Sequence, residues 1–342
     1  MLSRYAVNPG KLGISKGFGR SIGTLMLSVL AAFPAVAAEA ASAPGKGVEV
    51  QPIDFGNQNT QFQTEIVRLG LEALGYEVKA SHEADVPIAH MAVAQGEADY
   101  MAVHWVPLHE TYYERSGGDA LSTRLGSLVS NADQGILIDK KTADAQGITS
   151  LDQLKDPKIA ALFDMDGDGK ADLTGCNPGW GCERLIEEQL DRLDLHETVT
   201  HRQGVYNALI ADTVTQYRAG RPILYFTWTP MWVSSILVPG KDVTWLKIPQ
   251  DENVETEVSD RGFAVNTVKI MANNEFLEDN PAAKKFFELV TIDINDINAE
   301  NALIVAGEKS PEDILNHANQ WIADNKALFD QWISEARMAA EQ

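Results

Sequence analysis

The sequence predicts an α/β protein, because short apolar runs alternate with amphipathic helical patterns along the chain. The first such unit has a strand over residues 47–53, a helix with one apolar face over 61–74 and a second strand over 76–79. A strand, a helix and a strand in this order imply a parallel sheet with a right-handed crossover. The chain has 342 residues, which is long enough for two lobes or one large α/β domain.

Later segments continue the alternation, and the sequence contains no repeat array and no low-complexity segment. The further elements predicted are a helix over 86–95, a buried strand over 100–103, a strand beginning near 134–138, a helix start capped by Ser150, helices over 181–193 and 206–217, a strand over 223–227 and a mostly helical part from Pro281 onward.

The N-terminus has the pattern of a secretory signal peptide. Residues 1–21 carry cations and no acid, an apolar run over 22–36 follows, and small residues end it. We expect residues 1–38 to be the signal, with cleavage after Ala37 or Ala38. The apolar run is too short for a comfortable transmembrane span, so the sequence predicts an exported protein of a bacterial-type periplasm.

The charge balance excludes some partners. The chain has 28 Lys and Arg residues against 49 Asp and Glu residues. Loss of the signal removes four cations and brings the net charge from −21 to −25. A chain this acidic is a poor candidate for binding nucleic acid or anionic lipid. Solubility explains most of this negative charge, and a net charge does not show where on the molecule a ligand binds.

Two segments share one pattern, in which a buried strand leads into Trp-x-Pro. Residues 96–107 contain Trp105 in this pattern and residues 220–230 contain Trp228. We expect each tryptophan just past the carboxyl end of its strand, the edge at which α/β sheets bind ligands. The proline two residues later stops the strand, which favours presented rings over packed ones. Trp232 competes with Trp228, and we interpret it as supporting packing; core burial is the better interpretation for Trp245, Trp321 and Trp332.

Both cysteines lie in the heptapeptide that runs from Cys176 to Cys182 and contains Trp180. Two cysteines in an exported protein predict a disulfide, whose main role is to fix the turn around Trp180. A helix begins at Gly181, so the backbone N–H groups of Gly181 and Cys182 lack intrahelical partners and favour a bound carboxylate. His109, four residues after Trp105, is a further candidate donor.

Three tryptophans at strand ends or loops, Trp105, Trp180 and Trp228, favour an aromatic cage for a quaternary ammonium. Such a cation has no N–H donor, so only dispersion and the negative faces of the rings hold it, at about 0.5 to 2 kcal/mol per contact. Sugars also stack on tryptophan, so a secreted carbohydrate-active enzyme with paired carboxylates is the alternative. Beyond the predicted signal peptide, the sequence has none of the nucleophile, metalloprotease or phosphate-loop motifs of enzymes.

A calcium-loop pattern is half complete. Its ligand positions are occupied by Asp164, Asp166, Asp168 and Asp172, but position 12 is Gly175 where a bidentate glutamate belongs. An Asx-rich surface turn is the favoured interpretation, and whether the loop binds a cation stays open. No metal ligand is therefore assigned to the site.

The sequence resembles the periplasmic glycine betaine/proline betaine-binding component of an osmoprotectant ABC importer. The resemblance covers nearly the whole mature chain and is carried by the runs GEADYMAVHWVPLHE, LKDPKIAALFDMDGDGKADLTGCNPGWGCE and YFTWTPMWV. It implies a type II periplasmic-binding-protein fold, in which two lobes enclose a ligand cleft. It also implies a trimethylammonium cage of Trp105, Trp180 and Trp228, and a carboxylate held by His109 and the amides of Gly181 and Cys182.

The resemblance further implies a discontinuous first lobe, residues 45–133 and 252–342, around a second lobe of residues 134–251. Capture would occur by lobe closure, and the expected partner is the membrane permease of the importer. We expect no enzyme activity, no cofactor, no nucleic-acid partner and a monomer. Two features depart from the family pattern, the acidic segment 250–257 and His104, which precedes Trp105. The ranking of betaines is not predicted, since one or two methyl groups change affinity by only about 1 to 3 kcal/mol.

Overall fold

The computed structural model describes residues 43–56, 58–250, 258–259 and 261–341. The predicted signal peptide 1–38 and residues 251–257 of the acidic segment lie outside the described residues. Within the described ranges, no helix combines the length and the apolar character needed to cross a bilayer.

Strands and helices alternate over most of the described chain, and five helices close it. The strands are β1 (Glu49–Val50), β2 (Ile53–Asp54), β3 (Glu77–Val78), β4 (His82–Glu83), β5 (Tyr100–Val106), β6 (Ser122–Asp139), β7 (Ala171–Thr174), β8 (Val199–Arg202), β9 (Leu224–Thr229), β10 (Val243–Trp245) and β11 (Asn266–Asn273). The α-helices are α1 (Gln61–Ala73), α2 (Val86–Gln95), α3 (Glu110–Arg115), α4 (Lys140–Gln146), α5 (Pro157–Ala160), α6 (Gly181–Arg192), α7 (Tyr206–Arg218), α8 (Asn274–Asp279), α9 (Pro281–Leu289), α10 (Ile294–Ala306), α11 (Pro311–Asp324) and α12 (Lys326–Ala339).

The central sheet is mixed, so the prediction of a parallel sheet is only partly right. Its strand order is β5-β11-β6-β9-β7-β8, with β10 also paired to β6. Parallel pairing occurs where it was predicted, between β1 and β3, and again between β7 and its neighbours. The pairs β5–β11, β11–β6 and β6–β9 are antiparallel. The short strands near the N-terminus form two separate two-stranded sheets, β1–β3 and β2–β4, and so do not represent the central sheet.

Strand β6 joins two regions of the sheet. Its first part pairs with β11 between residues 122 and 132, and its second part pairs with β9 and β10 between residues 133 and 139. The sequence predicted only the apolar end of this strand, near residues 134–138. The earlier part has no simple alternation, because polar residues and Gly126 interrupt it.

The buried side chains form two large clusters, and strand β6 contributes residues to both of them. The first cluster draws on residues 50–132 and 268–336, and the second on residues 136–263. A smaller third cluster lies among β2, α2, β5, α3 and β11. Trp105 is partly buried and packs against both large clusters. This side chain therefore lies where the two clusters meet.

Most predicted helices are confirmed, and two local predictions need correction. The strand predicted over 47–53 is divided into β1 and β2, because Pro52 lies between them and has no N–H to donate to a ladder. The helix predicted to begin at Ser150 is a short 3-10 helix over Leu151–Lys155. Its capping box is present, but Pro157 two residues later disfavours helical geometry at Asp156 and ends it.

Candidate functional site

All six residues predicted for the site line one cavity. Its free volume is about 60 Å³, and since one water molecule requires about 10–15 Å³, it has room for about four to six water-sized groups. The six are Trp105, His109, Trp180, Gly181, Cys182 and Trp228; the other lining residues are Phe55, Thr60, Val86, Val103, Leu108, Gln134 and Phe226. The wall is mostly apolar, so the cavity fits a small ligand with a large apolar surface.

Trp105 and Trp228 occupy matching positions at the ends of two strands. Each is the residue before the last of its strand, β5 and β9, and not just past the end as predicted. A cis peptide bond to proline follows each strand, at Val106–Pro107 and at Thr229–Pro230. The proline ends the strand one residue after the tryptophan, so the ring stays on the sheet while the chain turns away.

Trp228 and Trp180 form adjacent walls of the cavity. Their ring centroids are 6.1 Å apart and the rings are inclined at 60°. Tyr206 packs against Trp228 with a centroid distance of 4.5 Å, and its hydroxyl donates to Thr227 Oγ1 at 2.7 Å. Tyr206 was not predicted to act here. It contacts Trp228 only because α7 packs on the sheet, and nothing in its own sequence context signals that contact.

The predicted disulfide between Cys176 and Cys182 is present. Both cysteines are buried in the second large cluster. Trp180 lies between them and is only partly buried, so the bond anchors the two ends of the loop while the indole faces the cavity.

Three hydrogen bonds fasten the loop between the cysteines. The backbone N–H of Tyr206 donates to Asn177 Oδ1 at 2.8 Å, and that of Gly179 donates to Glu183 Oε2 at 2.6 Å. The hydroxyl of Tyr112 donates to the carbonyl oxygen of Gly179 at 2.9 Å. Tyr112 belongs to α3, so this last bond joins the loop to the segment that carries His109.

The N-terminus of α6 presents unused backbone donors to the cavity. Trp180 is its N-cap residue and makes no side-chain cap. The N–H groups of Gly181 and Cys182 have no acceptor among the residues that the structure describes. A Cβ atom at residue 181 would lie 2.8 Å from Leu108 Cδ1 and 3.2 Å from the carbonyl oxygen of Leu108, so glycine permits this close approach. The two donors and the positive end of the helix dipole together favour an anion.

His109 is a neutral donor whose proton position follows from its neighbours. It is 5% exposed, and its Nδ1 accepts the backbone N–H of Trp105 at 3.2 Å. The proton of the neutral ring is therefore on Nε2, which has no partner in the described parts of the chain. Burial, followed by the neighbouring imidazoles of His90 and His104, lowers the pKa of His109 well below its ordinary value.

Two further histidines lie behind His109. Nδ1 of His90 donates to the carbonyl oxygen of Val86 at 2.7 Å, so Nε2 of His90 accepts from Nδ1 of His104 at 3.0 Å. Burial lowers the pKa of His90 to about 4 and that of His104 well below its ordinary value. His104 was recognised from the sequence as a departure from the family pattern, but His90 was not predicted, because nothing in its own segment distinguishes it from other buried residues of a helix.

These three rings lie close enough together for a metal ion. Arg124 and Lys269 are near enough to lower the pKa of His104, and the same positive charge disfavours a metal cation. Hydrogen bonds already occupy one nitrogen of His109 and both nitrogens of His90. The arrangement is that of neutral, hydrogen-bonded imidazoles.

The aspartate loop lies apart from the cavity. Carboxylate oxygens of Asp164, Asp166 and Asp172 lie within 4.8 Å of one another. Backbone N–H groups of Gly167 and Gly169 donate to Asp164 at 2.6 and 2.8 Å and lower the pKa of its carboxyl group. These bonds are those of an Asx-rich turn, the interpretation that the sequence favoured.

The remaining tryptophans do not line the cavity. Trp332 is buried and stacks on Trp321, Trp245 lies under the guanidinium of Arg261, and Trp232 packs against the second large cluster. The choice of Trp228 over Trp232 as a cavity residue agrees with this arrangement.

Comparison with known proteins gives a family match over most of the chain. The model of the family described as the substrate binding domain of ABC-type glycine betaine transport system, OpuAC, matches residues 49–324. The glycine betaine-binding periplasmic protein OusX of Dickeya dadantii is 46% identical over 330 residues, 94% of this chain and 99% of that protein. The glycine betaine/proline betaine-binding periplasmic protein of Escherichia coli K12 is 48% identical over 308 residues, 88% of this chain and 93% of that protein.

Solved structures with low sequence identity have the same fold. A choline-binding protein of an ABC transporter in complex with choline superposes with a TM-score of 0.68 at 18% identity, over 86% of this chain and 96% of that one. The lactococcal OpuAC in its closed form with glycine betaine gives a TM-score of 0.66 at 19% identity, over 84% and 99%.

Proposed function

The chain belongs to the family of substrate-binding domains of ABC-type glycine betaine transport systems, and on that premise we propose that it captures glycine betaine and proline betaine in its tryptophan-lined cavity. It is a periplasmic binding protein with the predicted two-lobed type II fold. The family consists of transport proteins and not enzymes, so the carbohydrate-active enzyme is set aside.

The observation that carries this proposal is the sequence Trp180-Gly181-Cys182 at one wall of the cavity. It places a ring for the cation directly beside two unused N–H groups for the carboxylate. In the proposed complex, Trp105, Trp180 and Trp228 enclose the trimethylammonium group, which they hold by cation–π attraction and dispersion. Tyr206 supports this cage from behind Trp228.

The carboxylate end of the ligand receives three donors in the proposed complex. Two are the N–H groups of Gly181 and Cys182, and the third is Nε2–H of His109. Because His109 is neutral, it recognises the carboxylate by a hydrogen bond and adds no positive charge that would repel the ammonium group. Choline has the cation without the carboxylate, so it leaves these buried donors unpaired and binds poorly.

We propose that the cavity is the cleft between a lobe of residues 45–133 and 252–342 and a lobe of residues 134–251. Support comes from the two large clusters of buried side chains and from β6, which runs from one to the other. Contacts of Tyr112 with Gly179 and of Leu108 with Gly181 would then join the lobes. Ligand binding stabilises this closed form, which the permease recognises; the protein acts as a monomer and, being strongly acidic, without a nucleic-acid partner.

Calorimetric titration tests the proposal. The wild-type protein is titrated with glycine betaine, proline betaine, choline and a short oligosaccharide, and we expect binding of the two betaines alone. Trp180→Ala removes one wall and lowers the affinity for glycine betaine more than about tenfold. Trp321→Ala is the matched control, because Trp321 is partly buried outside the cavity. Unchanged betaine affinity in Trp180→Ala, or an equal loss in Trp321→Ala, would contradict the cage.

A further inference from the structure

Gln134 is a buried polar side chain whose hydrogen-bonding groups the fold leaves unused. It lines the cavity and is only 2% exposed. Its backbone N–H donates to Asp133 Oδ1 at 2.8 Å, but no hydrogen bond joins its carboxamide to another residue within the described part of the chain. A carboxamide has two N–H donors and an acceptor oxygen, and leaving them unpaired in a buried place is unfavourable. Among the described residues and the cavity they enclose, only the contents of the cavity are left to pair with them.

The strand register places this carboxamide beside the proposed cation site. Gln134 of β6 lies opposite Trp228 of β9 in their antiparallel ladder. Residues in that relation project from the same face, with Cβ atoms about 4.5–5.5 Å apart. Asp133 projects from the other face, where it pairs with Arg261 at 2.8 Å. The polar group of Gln134 therefore lies next to a wall of the cage, and the carboxylate donors of α6 are a separate set.

A quaternary ammonium does not satisfy this group, because it presents methyl groups and no N–H. A tertiary ammonium has an N–H in place of one methyl group, and a charged donor makes a strong hydrogen bond with an amide oxygen. Resting on the proposed function, we propose that Gln134 determines specificity by accepting this N–H. The ligand class then includes N,N-dialkyl amino acids, zwitterions with a tertiary ammonium, besides the quaternary betaines.

The test compares glycine betaine with N,N-dimethylglycine by calorimetric titration of the intact protein. We expect the wild-type protein to bind both. Gln134→Leu removes the acceptor at similar volume and lowers the affinity for N,N-dimethylglycine at least about tenfold more than it lowers the affinity for glycine betaine. Gln134→Glu keeps an acceptor oxygen and retains N,N-dimethylglycine. Gln331→Leu is the control: Gln331 is an exposed residue of helix α12 outside the cavity, and both affinities stay unchanged.

Two results would overturn the role of Gln134. One is an unchanged ratio of the two affinities in Gln134→Leu, as when both ligands lose affinity equally. The other needs no variant: since one methyl group accounts for about 10–200-fold, wild-type binding of N,N-dimethylglycine more than about a thousandfold weaker than that of glycine betaine is incompatible with this hydrogen bond. Failure of the wild-type protein to bind glycine betaine would instead contradict the proposed function. Thermal unfolding of each variant confirms that it is folded.

Discussion

Gly181→Ala should weaken the binding of glycine betaine without lowering the stability of the unliganded protein. The added Cβ would lie 2.8 Å from Leu108 Cδ1, 2.9 Å from Cγ and 3.2 Å from the carbonyl oxygen of Leu108. Ordinary contacts between carbon atoms are about 3.5–4.0 Å long, so Leu108 must move by about 0.7–1.2 Å. Leu108 lies between Trp105 and His109, and its displacement moves both away from Trp180.

The expected loss of affinity follows from the cost of overpacking, which is about 1–3 kcal/mol for an inserted methyl group. Because a factor of ten in affinity corresponds to about 1.4 kcal/mol, glycine betaine should bind about 5- to 150-fold more weakly. In the proposed two-lobed protein the clash arises only when the lobes close. The midpoint of thermal unfolding without ligand should therefore stay within about 2 °C of the wild-type value.

Titration calorimetry measures the affinity, and differential scanning calorimetry measures the unfolding midpoint. Gly204→Ala is the matched control, because a Cβ there would meet Leu209 at an ordinary 3.6 Å. Affinity of Gly181→Ala within threefold of wild type would refute the reasoning. So would a large fall in the unfolding midpoint without ligand, since the contact would then belong to the fold and not to the closed form.

Two other predictions concern the carboxylate end and the disulfide. Burial holds the pKa of His109 well below 6.5, so His109 stays neutral as pH falls from 8 to 5.5. Titration calorimetry should therefore find that the affinity for glycine betaine changes less than about threefold over that range. A tenfold gain in affinity below pH 6.5 would show instead that the protonated ring binds the carboxylate. Reduction of the Cys176–Cys182 bond should lower the free energy of unfolding by only about 2 kcal/mol, because the closed loop is short, and denaturant titration with and without reductant measures this change. Reduction should also weaken betaine binding, because Trp180 loses its fixed position. Unchanged betaine binding in the reduced protein would contradict the positioning role of the disulfide.

Local signals predicted the parts of the site that lie on single segments. The helix start at Gly181, the disulfide loop around Trp180 and the strand ends at Trp105 and Trp228 are each visible within about ten residues of sequence. Each depends on a rule of local chemistry, such as the missing N–H of proline or the unpaired amides of a first helical turn. Those rules hold wherever the segment lies in the fold.

Contacts between distant segments were not predictable in this way. His90 lies on α2 and contacts His104 on β5, Tyr206 reaches Trp228 across two elements, and Gln134 faces the cavity because β6 pairs with β9. The antiparallel course of β6 was missed for the same reason. Pairing partners and register depend on which elements meet, and periodicity within one segment does not determine that.

The sequence by itself therefore determined the α/β class, the resemblance to a family of betaine-binding proteins and the six residues of the candidate site, since these depend on local chemistry and on motifs. Only the tertiary structure decided the strand pairing, the neutral state and proton position of His109, and the unused carboxamide of Gln134. The physical reason is that hydrogen-bond partners and burial, which set protonation and the number of unpaired groups, arise when distant segments pack together.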